Sequence, residues 1–288
     1  MLRGLYTAAA GLTTQQRRHD TITNNISNIN TPGYKQATEV TRSFPDVLMA
    51  LTGTSDHTDR TIGRVSTGVF AEENVSLQMQ GDLTESGRSG DFALSSSIQI
   101  PGVAFDGSGK AFAEDGEVIF QPQAFFTLEG TNGQPRYTRD GRFDLNADGY
   151  LVTTGGERVL GADGQPLQFP PGASLNDVML TSDFRFVDRL TGADTGSGLL
   201  LTRINNPNLL VREGNGKFRL EGDAGVAVPV AAEDGVQVRQ GYYERSNVDA
   251  AQSMVDLMSA LRAYEANQKI VQFYDKSLDK AVNEIGRV

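Results

Sequence analysis

The sequence predicts an α+β protein, with long N- and C-terminal helices pairing as a coiled coil and a mainly antiparallel β central domain. Three observations predict it: where the glycines fall, a heptad stripe near the C-terminus, and a regular series of turn dipeptides between the two ends. Of 32 glycines in 288 residues, three lie in 1–42 and one in 242–288, leaving 28 for the 199 residues between. Charge divides in the same way. The net −10 resolves into +3 for 1–42, −1 for 242–288 and −12 for the centre. Two glycine-poor ends therefore flank an acidic, glycine-rich middle.

Residues 1–42 read as a helix followed by a turn. Leu5, Leu12, His19 and Ile26 share one helical position, and Ala8, Gln15, Ile22 and Ile29 follow three residues later. Gly4, Gly11 and six threonines before residue 32 weaken this helix. It must end before Pro32, because the residue preceding a proline is pushed out of the α region. Residues 43–90 are polar with little periodicity and read as an extended arm.

Residues 91–241 read as the β domain. Asn132-Gly133, Asp140-Gly141, Asp148-Gly149, Gly155-Gly156 and Asp163-Gly164 recur every seven or eight residues between short strand-like segments. Asn-Gly and Asp-Gly suit the positive φ angles of tight hairpins, so the spacing predicts an antiparallel meander. Asp106-Gly107, Asp115-Gly116, Asn215-Gly216 and Asp234-Gly235 extend the pattern.

Residues 242–288 carry the clearest helix. No Gly or Pro occurs from Tyr242 to Ile285. Ser246 stands as N-cap, with Asp249 three residues on in a variant capping box. Leu257, Tyr264, Val271, Leu278 and Ile285 recur at seven-residue steps, with Met254, Leu261 and Val282 three residues ahead of members of that series. A helix of about 38 residues would run roughly 57 Å, longer than one small domain. Such a stripe also suits a helix buried within its own monomer. Its length, its place at the chain end and a self-sufficient β centre favour assembly. Leu5, Leu12, Ile22, Ile26, Ile29, Leu257, Leu261, Tyr264, Val271, Leu278 and Ile285 are the expected interface.

Composition narrows the chemistry. With no cysteine and only His19 and His57, thiol chemistry, Cys-ligated metals and multi-histidine centres are not expected. The acidic balance argues against nucleic acid. No stretch approaches the roughly 18 apolar residues of a membrane helix. The N-terminus lacks the apolar block of a secretory signal, so any export is expected to leave no cleaved peptide. Asp144-Leu145-Asn146-Ala147-Asp148-Gly149 has the opening spacing of a calcium loop, but its twelfth position is Gly155 rather than Glu, and a hairpin turn explains it better. His19-Asp20 lacks a converging partner, and His57 reads as a loop residue. Gly214-Asn215-Gly216-Lys217 and Gly107-Ser108-Gly109-Lys110 lack phosphate-loop spacing. Carboxylate pairs such as Glu72-Glu73 are what this many acids produce by chance. No cofactor, metal or catalytic constellation is expected.

The ends carry a resemblance. Asn24-Asn25-Ile26-Ser27-Asn28-Ile29-Asn30-Thr31-Pro32-Gly33-Tyr34-Lys35 resembles the N-terminal signature of the bacterial flagellar basal-body rod and hook family. Ser246-Asn247-Val248-Asp249 followed by Arg262-Ala263-Tyr264-Glu265-Ala266-Asn267-Gln268-Lys269 resembles its C-terminal signature. Tyr137-Thr138-Arg139-Asp140-Gly141 and Gly149-Tyr150-Leu151-Val152-Thr153 resemble its central β region. The resemblance implies an axial protein exported unfolded by the flagellar type III apparatus without signal cleavage. It implies terminal helices lining a central channel, the chain itself and other rod and hook subunits as partners, and a place in the basal body. It fits the distal-rod type or the rod–hook proteins of Gram-positive bacteria. One departure is an insertion near 96–121, resembling an added hairpin. The competing class is an extracellular adhesin or cap-like protein forming a closed oligomer. A cell-wall hydrolase lacks a catalytic constellation.

Overall fold

The computed structural model describes residues 2–51, 60–106, 109–112, 118–130, 133–170, 172–222 and 224–285. His57, Gly107, Ser108, Asp115, Gly116 and Asn132 lie outside the described residues, as does the side chain of Ile285. The protein is α+β, with an N-terminal helix, a C-terminal helix and antiparallel strands between them. It divides into two compact units. One comprises Met1–Ser27, Ala37–Val75 and Asp249–Val288; the other comprises Asn28–Gln36 and Ser76–Val248.

The first unit is built on helices α1 (Leu2–Ser27) and α2 (Ala250–Lys280), the latter continued by a π-helical turn at Ala281–Ile285. α1 stops five residues before Pro32, and Asn25 fastens its last turn. The Asn25 amide donates to the Ala37 carbonyl at 2.8 Å and accepts from the Ala37 N–H at 2.9 Å. The arm is a β ribbon: Ala37–Ser43 pairs with Val69–Ser76, and Val47–Leu51 with Arg60–Val65. Phe44 and Phe70 stack across it at 5.0 Å. One face of α1 is stitched to the returning strand: Thr14 donates to Val69 O, Arg17 to Ala71 O and Thr21 to the Asn74 side chain.

α2 starts later than its sequence implies. The N-cap is Asp249, whose carboxylate accepts from Gln252 N at 3.0 Å, while Ser246 accepts only from Val248 N at 3.3 Å. Asn247 explains the shift. Both ends of its amide are committed to backbone at Gln36, Leu77 and Met79, which holds that stretch extended.

The second unit is a β domain around a six-stranded antiparallel sheet. Its order is Leu210–Gly214, Lys217–Leu220, Arg136–Thr138, Gln123–Leu128, Leu201–Ile204 and Ala227–Pro229. Gln123–Leu128 is buried on both faces. Phe92, Phe126, Phe143 and Phe186 form the core on one side, and Phe125, Tyr137, Ile204 and Phe218 the smaller core on the other. The Asn215-Gly216 turn joins its strands with φ of 51° and 71°, the tight geometry that Asn-Gly favours. Asp148-Gly149 likewise closes the hairpin of Phe143–Leu145 and Leu151–Thr153, and Asn146 accepts from the N–H groups of Asp148 and Tyr150.

The meander does not run unbroken. Arg136–Thr138 pairs with Gln123–Leu128 and Lys217–Leu220, not with Phe143–Leu145. At Asp140-Gly141 the chain passes from one sheet to the next, because Gly141 presses on the Phe92 carbonyl, which a Cβ would meet at 1.8 Å. Within residues 96–121, Lys110–Phe112 pairs with Val118–Phe120.

Candidate assembly surface and the signature clasp

The two terminal regions of the sequence meet in each unit. In the first unit, α1 and α2 lie antiparallel: Gly4 abuts Tyr274 and Gly11 abuts Asn267. A Cβ on Gly4 would fall 2.1 Å from the Tyr274 hydroxyl, and one on Gly11 would fall 3.0 Å from the Asn267 amide. The two glycines that lower helix propensity are the points where the helices approach each other. Along α1, Ala8 and Ile22 are buried, and Leu5, Leu12, Gln15, His19 and Ile26 are partly buried; Ile29, also partly buried, lies in the turn after the helix. His19 lies 3.6 Å from Asp20.

Along α2, Leu257, Tyr264, Val271 and Leu278 are partly buried. The row that completes the seam stands four residues before them, not three: Ser253, Ala260, Asn267 and Tyr274. Met254, Leu261 and Val282 are exposed. Both neighbouring rows flank a heptad position on a helix, and Gly4 and Gly11 of α1 permit the close approach of Tyr274 and Asn267 in the earlier row. As a result α2 turns Met254, Val255, Met258, Leu261, Ile270 and Phe273 to solvent. Glu265 is also exposed.

In the second unit, the residues after α1 are clasped to those before α2. Thr31 N donates to Asn28 O at 3.1 Å, and the Thr31 hydroxyl reaches the Asn28 side chain at 3.2 Å. Asn24 lies on the exposed side of the last helical turn. Pro32 is buried and leads into Gly33, whose φ of 67° and N–H to Glu244 O (2.9 Å) set the turn. A Cβ on Gly33 would sit 2.6 Å from backbone atoms of Arg139 and Asp140. Tyr34 is buried under the Arg212 guanidinium at 4.7 Å, and its carbonyl accepts from Asn247 N at 3.3 Å.

At the centre is a buried charge cluster. Lys35, Arg139 and Glu244 are each at most 2% exposed. Lys35 donates to Glu244 Oε1 at 2.6 Å and to Met79 O at 2.7 Å. Arg139 donates to Glu244 Oε2 at 3.0 Å, to Ala124 O at 2.7 Å and to the Ser96 hydroxyl at 3.2 Å. Glu244 Oε1 also accepts from Gly81 N at 2.8 Å. Two cations thus share one carboxylate. Burial, and secondarily Arg139, depress the Lys35 ammonium to about 8, against the pull of Glu244. Burial alone would raise the Glu244 carboxyl, but Arg139 and Lys35 together hold it below its ordinary value.

Every polar group of the cluster is used internally, so its chemistry is that of a fastener. Lys35 and Arg139 fall inside the recognisable motifs, but nothing in one sequence marks them as buried, and Glu244 lies outside the motifs. The signal is the reciprocal charge, which only the fold brings together.

Comparison with known proteins agrees with these two regions. Residues 5–35 match the family model described as flagella basal body rod protein, and 239–284 match the flagellar basal body rod FlgEFG protein C-terminal model. Residues 121–183 match the flagellar hook protein FlgE/F/G D1 domain. The flagellar hook-basal body complex protein FlhO of Bacillus subtilis is 34% identical, with all of each chain covered. The flagellar basal-body rod protein FlgG of Agrobacterium fabrum is 30% identical over 96% of each chain. FlgF of Rhizobium meliloti is 30% identical over 99% of each. Full-length similarity, with family models falling on the clasped and paired regions, shows that this chain belongs to the flagellar basal-body rod and hook–basal body protein family.

Proposed function

We propose that the protein is a structural, non-catalytic subunit of the flagellar basal-body rod, in the distal rod or rod–hook region. Its copies polymerise helically through their terminal helices, which pair as a coiled coil, and it reaches the rod through the flagellar type III apparatus with no cleaved signal. The observation that carries this reading is the apolar strip of Met254, Val255, Met258, Leu261, Ile270 and Phe273, left open on a helix whose other face is already packed. An exposed strip of this kind marks an interaction surface. Relatives named as basal-body rod and hook-basal body complex proteins support the reading that further axial subunits, including copies of this chain, cover it. Deleting the chain should remove rods beyond the proximal part and abolish motility. Basal bodies of normal length and composition in the deletion strain would overturn the reading.

A further inference from the structure

The chain has no cysteine, so no thiol intercepts an oxidant, and the thioether of methionine is its most readily oxidised sulfur. Its methionines are Met1, Met49, Met79, Met179, Met254 and Met258. Met79 and Met179, 49% and 47% exposed, belong to the β unit and stand far apart in its sequence. Met254 and Met258, 56% and 51% exposed, stand four residues apart on α2, which makes them neighbours on one helical face.

That face is the open apolar strip. Met258 has Met254 four residues before it, Val255 three before and Leu261 three after, and all three are exposed. Two of the six thioethers in the chain therefore sit side by side within the strip. A thioether is a soft, adaptable apolar contact, whereas a sulfoxide carries a polar oxygen that must be desolvated when the strip is covered.

We propose that Met254 and Met258 are an oxidation site that controls whether a subunit can join the polymer. In the free chain both sulfurs are open to a peroxide. The sulfur lone pair takes one peroxide oxygen, the O–O bond breaks, and with hydrogen peroxide one water leaves. The sulfur loses two electrons and the peroxide gains them. The strip is then polar at its middle, and the subunit no longer packs against a neighbour. Reduction back to the thioether restores the strip. Once a subunit is joined, the burial that holds it also shields both sulfurs, so assembled chain resists an oxidant that disables free chain. This rests on the reading of the open α2 face as the joint between subunits.

For the test, full-length chain is expressed from an inducible promoter in a strain lacking the native copy, with and without hydrogen peroxide at a dose the cells survive. Its amount in isolated basal bodies is measured, and sulfoxide at each methionine is read by mass spectrometry in free and incorporated chain. Peroxide should lower incorporation of the native chain roughly tenfold. Met254→Leu combined with Met258→Leu should stay within about twofold of its untreated level, because leucine keeps the face apolar and does not oxidise. Met79→Leu combined with Met179→Leu should remain as sensitive as the native chain. Sulfoxide at Met254 and Met258 should be at least about fivefold rarer in incorporated chain than in free chain. Equal sensitivity of the native chain and the Met254→Leu, Met258→Leu variant would overturn the proposal. So would incorporated chain carrying sulfoxide at both positions as often as free chain. In those two cases native chain found in untreated basal bodies leaves the rod reading standing. If untreated native chain is absent from basal bodies, the rod reading falls and this site with it.

Discussion

Lys35, Arg139 and Glu244 put two cations and one anion where water does not reach, so removing the shared partner is the damaging change. Glu244→Gln should lower unfolding free energy by about 3–5 kcal/mol, measured by denaturant titration, because it strands two buried charges. Lys35→Met should cost less, since it removes the surplus cation together with its desolvation. The pH dependence follows from the same group. Lys35 titrates near 8 in the folded chain and near 10.5 when unfolded, so between these values the unfolded state binds more protons. Lys35 therefore makes stability rise with pH across that window, by up to about 1.4 kcal/mol per unit, and Lys35→Met should flatten the slope. Glu244, held low, contributes stability above its unfolded pKa that is lost as pH falls through the folded one. Gly33→Ala should cost at least about 2 kcal/mol, because the substitution meets both a positive φ and the Arg139 backbone. The turn at Gly33 is readable from Pro-Gly alone. The burial of Lys35 is not, because it depends on a carboxylate 209 positions away.

At the scale of elements, the period of α2 is legible in the sequence and its orientation is not. The heptad row from Leu257 to Leu278 is half-buried, but an apolar count favours Met254 and Leu261 for the second row, where the buried residues are Ser253 and Ala260. Hydrophobicity cannot distinguish a row that packs on α1 from a row left open. The row is marked from the α1 side, where Gly4 and Gly11 leave room for Tyr274 and Asn267. The heptad row is only half-buried and three of its four companions, Ser253, Ala260 and Asn267, are small or polar, so the pair buries limited apolar area and should be weak alone. Hydrogen exchange on purified monomer should find residues 250–280 markedly less protected than Gln123–Leu128, and equal protection would contradict this. Leu257→Asp should weaken protection further in α1 and α2, because it places a charge in the seam. Met258→Asp, on the open face, should leave exchange unchanged. The turn grammar of the β domain was similarly readable at Asn215-Gly216 and Asp148-Gly149. It misled at Asp140-Gly141, where the glycine serves a close approach to Phe92 instead of a hairpin.

At the scale of the whole molecule, the composition that separates ends from centre corresponds to two kinds of surface. The acidic, glycine-rich centre builds a β domain with its own two-sided core, and glycine supplies its tight turns. The glycine-poor ends build helices, one of which keeps an apolar face open. If that face is the site where subunits join, charges placed on it block assembly. A strain lacking the native chain is complemented with Met258→Asp combined with Leu261→Asp, and its isolated basal bodies are quantified for the protein and imaged. The account predicts a variant that melts at the native temperature, is absent from basal bodies and leaves the cells non-motile. Native amounts of the folded variant in rods of normal length would contradict it.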